Sequence, residues 1–301
     1  MAGIRINDER RAGIVGSRGI DPVAYEYDRP VLFYVLATAI PWACWFAAAY
    51  LSHLPEQTRA VLVATLVLSV AGLLAPIAVV AGLVWGRPVL RADIWRRMAW
   101  PRPASWFHVA CAFLLLPVSL LLAQVISLPL GYSAEQFLLR DGYTFSAGLL
   151  PVWVTLLGAA VVEELAWHSY GTDTLIRRMS VFTASMVFTV IWVLWHLPLS
   201  FIEGYYHNEV VKSGVLHTLN FPASMVGFVI LMNWLYFRCG RSILIPIVFH
   251  VSANFSAEMF MTDPDSKVIQ TGILLVCSIV VVIKERRLFF TRPEPDARAL
   301  G

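Results

Sequence analysis

A chain of 301 residues that is 58% hydrophobic, only 14% charged and +0.68 in mean hydropathy is too apolar to be a water-soluble domain. Its net charge of +3, spread over short loops, excludes the dense basic surface of a nucleic-acid binder. Cys44, Cys111, Cys239 and Cys277 are scattered without C-x-x-C spacing, so they read as apolar thiols and not as a disulfide framework or a zinc site.

Taken in chain order, residues 1–29 contain arginines but no apolar core, and they read as a polar arm and not a cleaved signal peptide. Eight apolar stretches then follow, near 31–53, 60–85, 105–131, 146–167, 180–202, 215–237, 242–261 and 268–284. Each approaches the roughly 20 residues that cross a hydrocarbon core about 30 Å thick. Lipid cannot satisfy open backbone groups, so such long runs without alternation are helices and not barrel strands. The fold class expected is an all-α polytopic membrane protein, with about eight transmembrane helices in one bundle over 30–284 and a basic tail over 285–301.

None of the 23 Lys and Arg residues falls inside these stretches, Lys284 standing at the end of the last, and the arm, successive loops and tail divide them 19 to 4. By the positive-inside rule the arm and the tail are both cytoplasmic. Arg59, Arg140, Lys212 and Lys267 are the four on the outer side. The segment 133–140 sets Phe137, Leu138 and Leu139 beside charges and reads as lying in the outer interface.

Three of the stretches carry polar groups at depth. The fourth holds Glu163 and Glu164, followed by His168; the fifth holds Trp192, Trp195 and His196; the seventh holds His250 and Asn254. Ionisable groups inside a span face a bundle interior or a wet cavity, and so they are site candidates by default. The first of these helices meets no strong breaker before about Ile176. At 1.5 Å per residue, Glu164 lies about 20 Å from Arg177, His196 about 27 Å from Arg178 and His250 about 14 Å from Arg241, so the groups can meet at one level. Glu164 and His168 share a helix face at i, i+4, as do His250 and Asn254, whereas Glu163 points about 100° away from Glu164. The two carboxylates therefore have different neighbours and different work. The tryptophans read as packing, and Glu258 reads as a helix-end carboxylate at the interface. His53, His207 and His217 fall in or near outer loops and are assigned no chemistry.

These residues resemble the CAAX-processing and bacteriocin-processing group of intramembrane endopeptidases, which includes the type II prenyl-protein endopeptidase. The family's Glu-Glu-x-x-x-Arg box is similar to Glu163-Glu164-Leu165-Ala166-Trp167-His168. Its box of Phe-x-x-x-His or similar resembles Trp192-Val193-Leu194-Trp195-His196, and its box of His-x-x-x-Asn or Asp resembles His250-Val251-Ser252-Ala253-Asn254. The likeness spans 145–262, which would be the catalytic core. It implies peptide-bond hydrolysis in a cavity reached from the cytoplasm and laterally from lipid, on a membrane-associated peptide or a lipidated protein. Glu163 with His196 would activate a water, and His250 and Asn254 would hold the oxyanion, with Glu164 and His168 in support. No cofactor is implied, although two His and a Glu are also the donor types of a catalytic zinc site; glutamate-activated water ranks ahead of zinc. Two positions depart from the family pattern, with Trp192 where Phe is usual and His168 where the family has Arg. An arginine there makes a permanent ion pair with Glu164, whereas His168 does so only when protonated, or shares one proton with it. The same groups also suit an acid–base enzyme acting on a small lipophilic molecule, or a non-catalytic membrane factor in which they only join helices.

Overall fold

A computed structural model describes residues 26–99, 105–140 and 152–291. The arm up to residue 25, the first residues of the fourth expected span and the tail beyond 291 lie outside them.

The described residues are helical almost throughout, in an all-α bundle with no strand longer than one isolated bridge, Leu139 with Phe260. The principal helices are α1 (Pro30–Ser52), α2 (Arg59–Val84), α3 (Pro88–Arg97), α4 (Trp106–Ser127), α5 (Val152–Ala166), α6 (Thr172–Ile176) and α7 (Val181–His196). They continue with α8 (Tyr206–Lys212), α9 (Val215–Arg238), α10 (Leu244–Met259), α11 (Pro264–Lys284) and α12 (Arg286–Phe290). Local chemistry sets several of the starts. Pro30, Pro88 and Pro264 occupy first helical positions, where a missing N–H costs nothing. The side chains of Thr58, Ser180 and Asp263 cap α2, α7 and α11 by accepting backbone N–H groups.

Six helices among the described residues are long and apolar enough to cross a membrane: α1, α2, α4, α7, α9 and α11, with α4 and α7 extended by short 3₁₀ turns. The fourth and seventh expected spans are different. Their described helices, α5 and α10, have 15 and 16 residues, and they carry the carboxylates and the His250 motif. They pack on each other, with α10 also against α4 and α9, while α7 packs on α9. The bundle thus surrounds its most polar helices with apolar ones, as a bilayer requires.

The helix of the glutamates does run on to Ile176, but through a π turn over Trp167–Gly171 that joins α5 to α6. Phe33 and Tyr34 of α1 press on this turn. A Cβ at Gly171 would stand 2.8 Å from the Phe33 ring, so only glycine admits the contact. Composition does not distinguish a π turn from an α turn, and the sequence carried no sign of it.

Candidate active site

Glu163 and Glu164 leave α5 in different directions, as their 100° offset requires. Glu164 is fully buried, and both of its oxygens are engaged: Oε2 lies 2.5 Å from Nδ1 of His168 and Oε1 lies 2.8 Å from Nδ1 of His250. Glu163 instead lines a cavity of about 450 Å³, and Trp192 Nε1–H donates to its Oε2 at 3.1 Å. Trp192 therefore does more than pack. It anchors the carboxylate, and its ring stands edge-on to His250 at 5.4 Å. Hydropathy hides this function, because an indole counts as apolar although it carries a donor. Trp195, by contrast, packs as expected between Trp45 and Trp167.

His196 ends α7 with Nδ1 2.7 Å from the Trp192 carbonyl oxygen. A carbonyl only accepts, so Nδ1 carries a proton, and whenever the ring is neutral its lone pair is on Nε2. His196 is thereby preset to accept from a water. Asn254 uses one amide N–H on the Leu156 carbonyl of α5, at 3.2 Å, and keeps a second. Glu163, His196, His250 and Asn254 all line the same cavity, and Glu164 and His168 lie directly behind them.

Three residues escaped the sequence reading. His207, assigned to an outer loop without chemistry, is buried on α8 and stacks on His196, with ring centroids 4.9 Å apart. Glu258 stands at the end of α10, as expected, but it is only 1% exposed and lines the cavity. Asn233 of α9 hydrogen-bonds His168 at 3.0 Å. The only signal for it was a lone amide in an apolar run.

Two arginines counted as topology signals are also structural. Arg97 and Arg241 are buried with Asp93 and Asp173 at the end of the bundle away from the cavity mouth. Arg97 donates to the carbonyl oxygens of His168 and Ser169, at 3.0 and 2.6 Å, inside the π turn. Among the described residues, no three His, Cys, Asp or Glu side chains converge as ligands for one metal ion.

A multi-pass apolar helical bundle whose cavity is lined by Glu and His side chains offers a candidate intramembrane catalytic site. Residues 144–256 match the family model for type II CAAX prenyl endopeptidase, Rce1-like. The chain is also 31% identical over 271 residues to a protein of Methanococcus maripaludis named CAAX prenyl protease 2, covering 89% of this chain and 98% of that one. The chain belongs to the Rce1-like type II CAAX prenyl endopeptidase family, a family of membrane proteases.

The Trp192 contact has a measurable consequence. Trp192→Phe removes the donor to Glu163 while keeping a ring, and it is expected to lower kcat about tenfold, the worth of one hydrogen bond to a charged group. Single-turnover cleavage with and without the substitution checks this; an unchanged kcat would mean that Glu163 needs no anchor.

Proposed function

We propose that this protein hydrolyses a peptide bond of a membrane-presented peptide with a water activated by Glu163. The observation that carries this reading is that Glu163, held by Trp192, lines the same cavity as His196, whose Nδ1 is engaged by the Trp192 carbonyl and whose Nε2 is left to face a water. Glu163 takes a proton from the water as its oxygen attacks the carbonyl carbon. The oxyanion accepts from the second amide N–H of Asn254, and from His250 when that ring is protonated on both nitrogens. As the C–N bond breaks, Glu163 returns the proton to the departing amine. Trp45, Leu66, Val70 and Leu73 give the cavity an apolar wall suited to a lipid chain on the substrate.

The test is cleavage by purified protein of a fluorogenic lipidated peptide and its unmodified twin, with and without a chelator. Turnover indifferent to chelator supports the glutamate mechanism, and chelator-sensitive turnover replaces it with zinc. If folded protein cleaves neither peptide while it turns over a small lipophilic substrate, the acid–base alternative takes its place.

Access follows from the charge bias. The cavity lining runs from Glu163 and His250 toward Tyr205, His207, Glu209, His217 and Lys267, in and beside the connections at one end of the bundle. That end carries only Arg59, Arg140, Lys212 and Lys267. The first and last described residues, with α3 and α12, belong to the other end. With the termini at that other end, the 19 to 4 bias favours a mouth on the non-cytoplasmic face, in place of the entry from the cytoplasm that the resemblance implies. In intact cells a membrane-impermeant thiol reagent is expected to label Ser213→Cys and to spare Val89→Cys until the membrane is opened. The reverse pattern would turn the mouth to the cytoplasm.

A further inference from the structure

A series of hydrogen bonds runs from a backbone carbonyl on α7 to the carboxylate of Glu164, and its protons can be assigned one by one. The Val181 carbonyl only accepts, so at 2.8 Å it receives the hydroxyl proton of Ser185. With its single proton spent there, the Ser185 oxygen only accepts, and the Asn233 atom 2.9 Å from it is the donating Nδ2. With the Ser185 proton on Val181, the Asn233 amide presents its other end, Oδ1, to His168 Nε2 at 3.0 Å. An amide oxygen only accepts, so Nε2 of His168 carries a proton. A second proton lies in the 2.5 Å contact between His168 Nδ1 and Glu164 Oε2. His168, Ser185, Asn233 and Glu164 are all buried, so no bulk water replaces these partners.

We propose that Asn233 is a positioning residue for the reaction: by accepting from Nε2 it holds His168 and Glu164 as a pair with two protons and no net charge. This rests on the protease reading. A histidine without that acceptor satisfies Glu164 with one proton, on Nδ1, and leaves the pair at −1. The relay gives His168 the standing charge that an arginine would bring, so Glu164 faces His250 as part of a neutral pair and not of an anionic one. Oε1 then stays an acceptor for His250 Nδ1–H at 2.8 Å, which turns the His250 Nε2 toward the cavity. Asn233 touches no substrate; it acts through His168, Glu164 and His250.

The test has two arms. In the first, ¹⁵N-histidine labelling of the full-length protein in detergent micelles reads the His168 ring directly, its resonances being those lost in His168→Gln. Both ring nitrogens are expected to be protonated in the wild type and in Asn233→Asp, whose carboxylate still accepts from Nε2 while the Ser185 hydroxyl rotates to meet it. Asn233→Leu is expected to strip the proton from Nε2. An unprotonated Nε2 in the wild type overturns the proposal, as does an unchanged one in Asn233→Leu. In the second arm, Asn233→Leu is expected to lower kcat roughly 10- to 100-fold, the scale known for the hydrogen-bond partners of metal-bound histidines. In a His168→Arg background, the same change should cost less than about threefold, because the guanidinium brings its own charge. An equal loss in both backgrounds would make Asn233 a packing residue only. If the wild type cleaves no peptide, the protease reading fails, and the nitrogen resonances still decide the charge of the pair.

Discussion

Glu163→Gln is expected to lower peptide turnover by roughly 1,000-fold, within the range of a lost general base, and to leave the protein folded. Glutamine matches the carboxylate in shape, and its amide oxygen still accepts from Trp192 Nε1, so the anchor survives while the proton acceptor does not. Glu164→Gln is expected to fail differently. Both Glu164 oxygens receive ring N–H donors, and an amide nitrogen in place of one of them sets donor against donor in a fully buried site. That change should cost about 3 kcal/mol of stability, the scale of a broken buried pair. Thermal unfolding in detergent beside single-turnover cleavage separates the two. If Glu163→Gln instead melted the protein and spared turnover in the fraction that stayed folded, the glutamates would be only joining helices.

What the sequence disclosed and what it hid divide along a physical line. Hydropathy and helical spacing report which face of which helix is polar, and they sufficed for the fold class and for bringing Glu163, His196, His250 and Asn254 to one cavity. The i, i+4 pairing of Glu164 with His168 was equally legible, since a helix decides it alone. Partners across helices were not. Nothing local tells that the Trp192 indole meets Glu163, 29 residues away, or that Asn233 meets His168, 65 away. His207 was hidden because its short helix follows a 3₁₀ turn that folds back over the site, and a loop position alone reads as solvent. Arg97 and Arg241 were legible as charges at a membrane edge but not as a buried cluster, because a count of loop charges is blind to burial.

That cluster makes the second large effect. Arg97, Arg241, Asp93 and Asp173 are buried together, with Tyr27 and Tyr236 in their hydrogen bonds and the exposed Arg96 also pairing with Asp93. Removing one member strands the rest. Arg97→Met is expected to cost 3–5 kcal/mol, roughly what an uncompensated buried charge costs, whereas an exposed pair is worth about 1 kcal/mol or less. The loss should reach the site as well, because Arg97 donates to the Ser169 carbonyl and, together with the Tyr236 hydroxyl, to that of His168. Without it, the π turn that aims His168 at Glu164 lacks its clamp, so Arg97→Met is expected to lose turnover even at temperatures where it stays folded. Acid should act through the same cluster. Burial raises the cost of charging Asp93, on α3 outside the spans, but the Arg241 and Arg97 guanidiniums outweigh it and hold the carboxyl below its ordinary range. A carboxyl depressed on folding stabilises fully above its unfolded value, about pH 4, and that contribution fades as the pH falls below it. Unfolding midpoints measured downward from pH 6 are thus expected to drop more steeply below pH 4 for the wild type than for Asp93→Asn. Parallel slopes, or an Arg97→Met loss under about 1 kcal/mol, would mean that water reaches the cluster and that the π turn is held by its own helix.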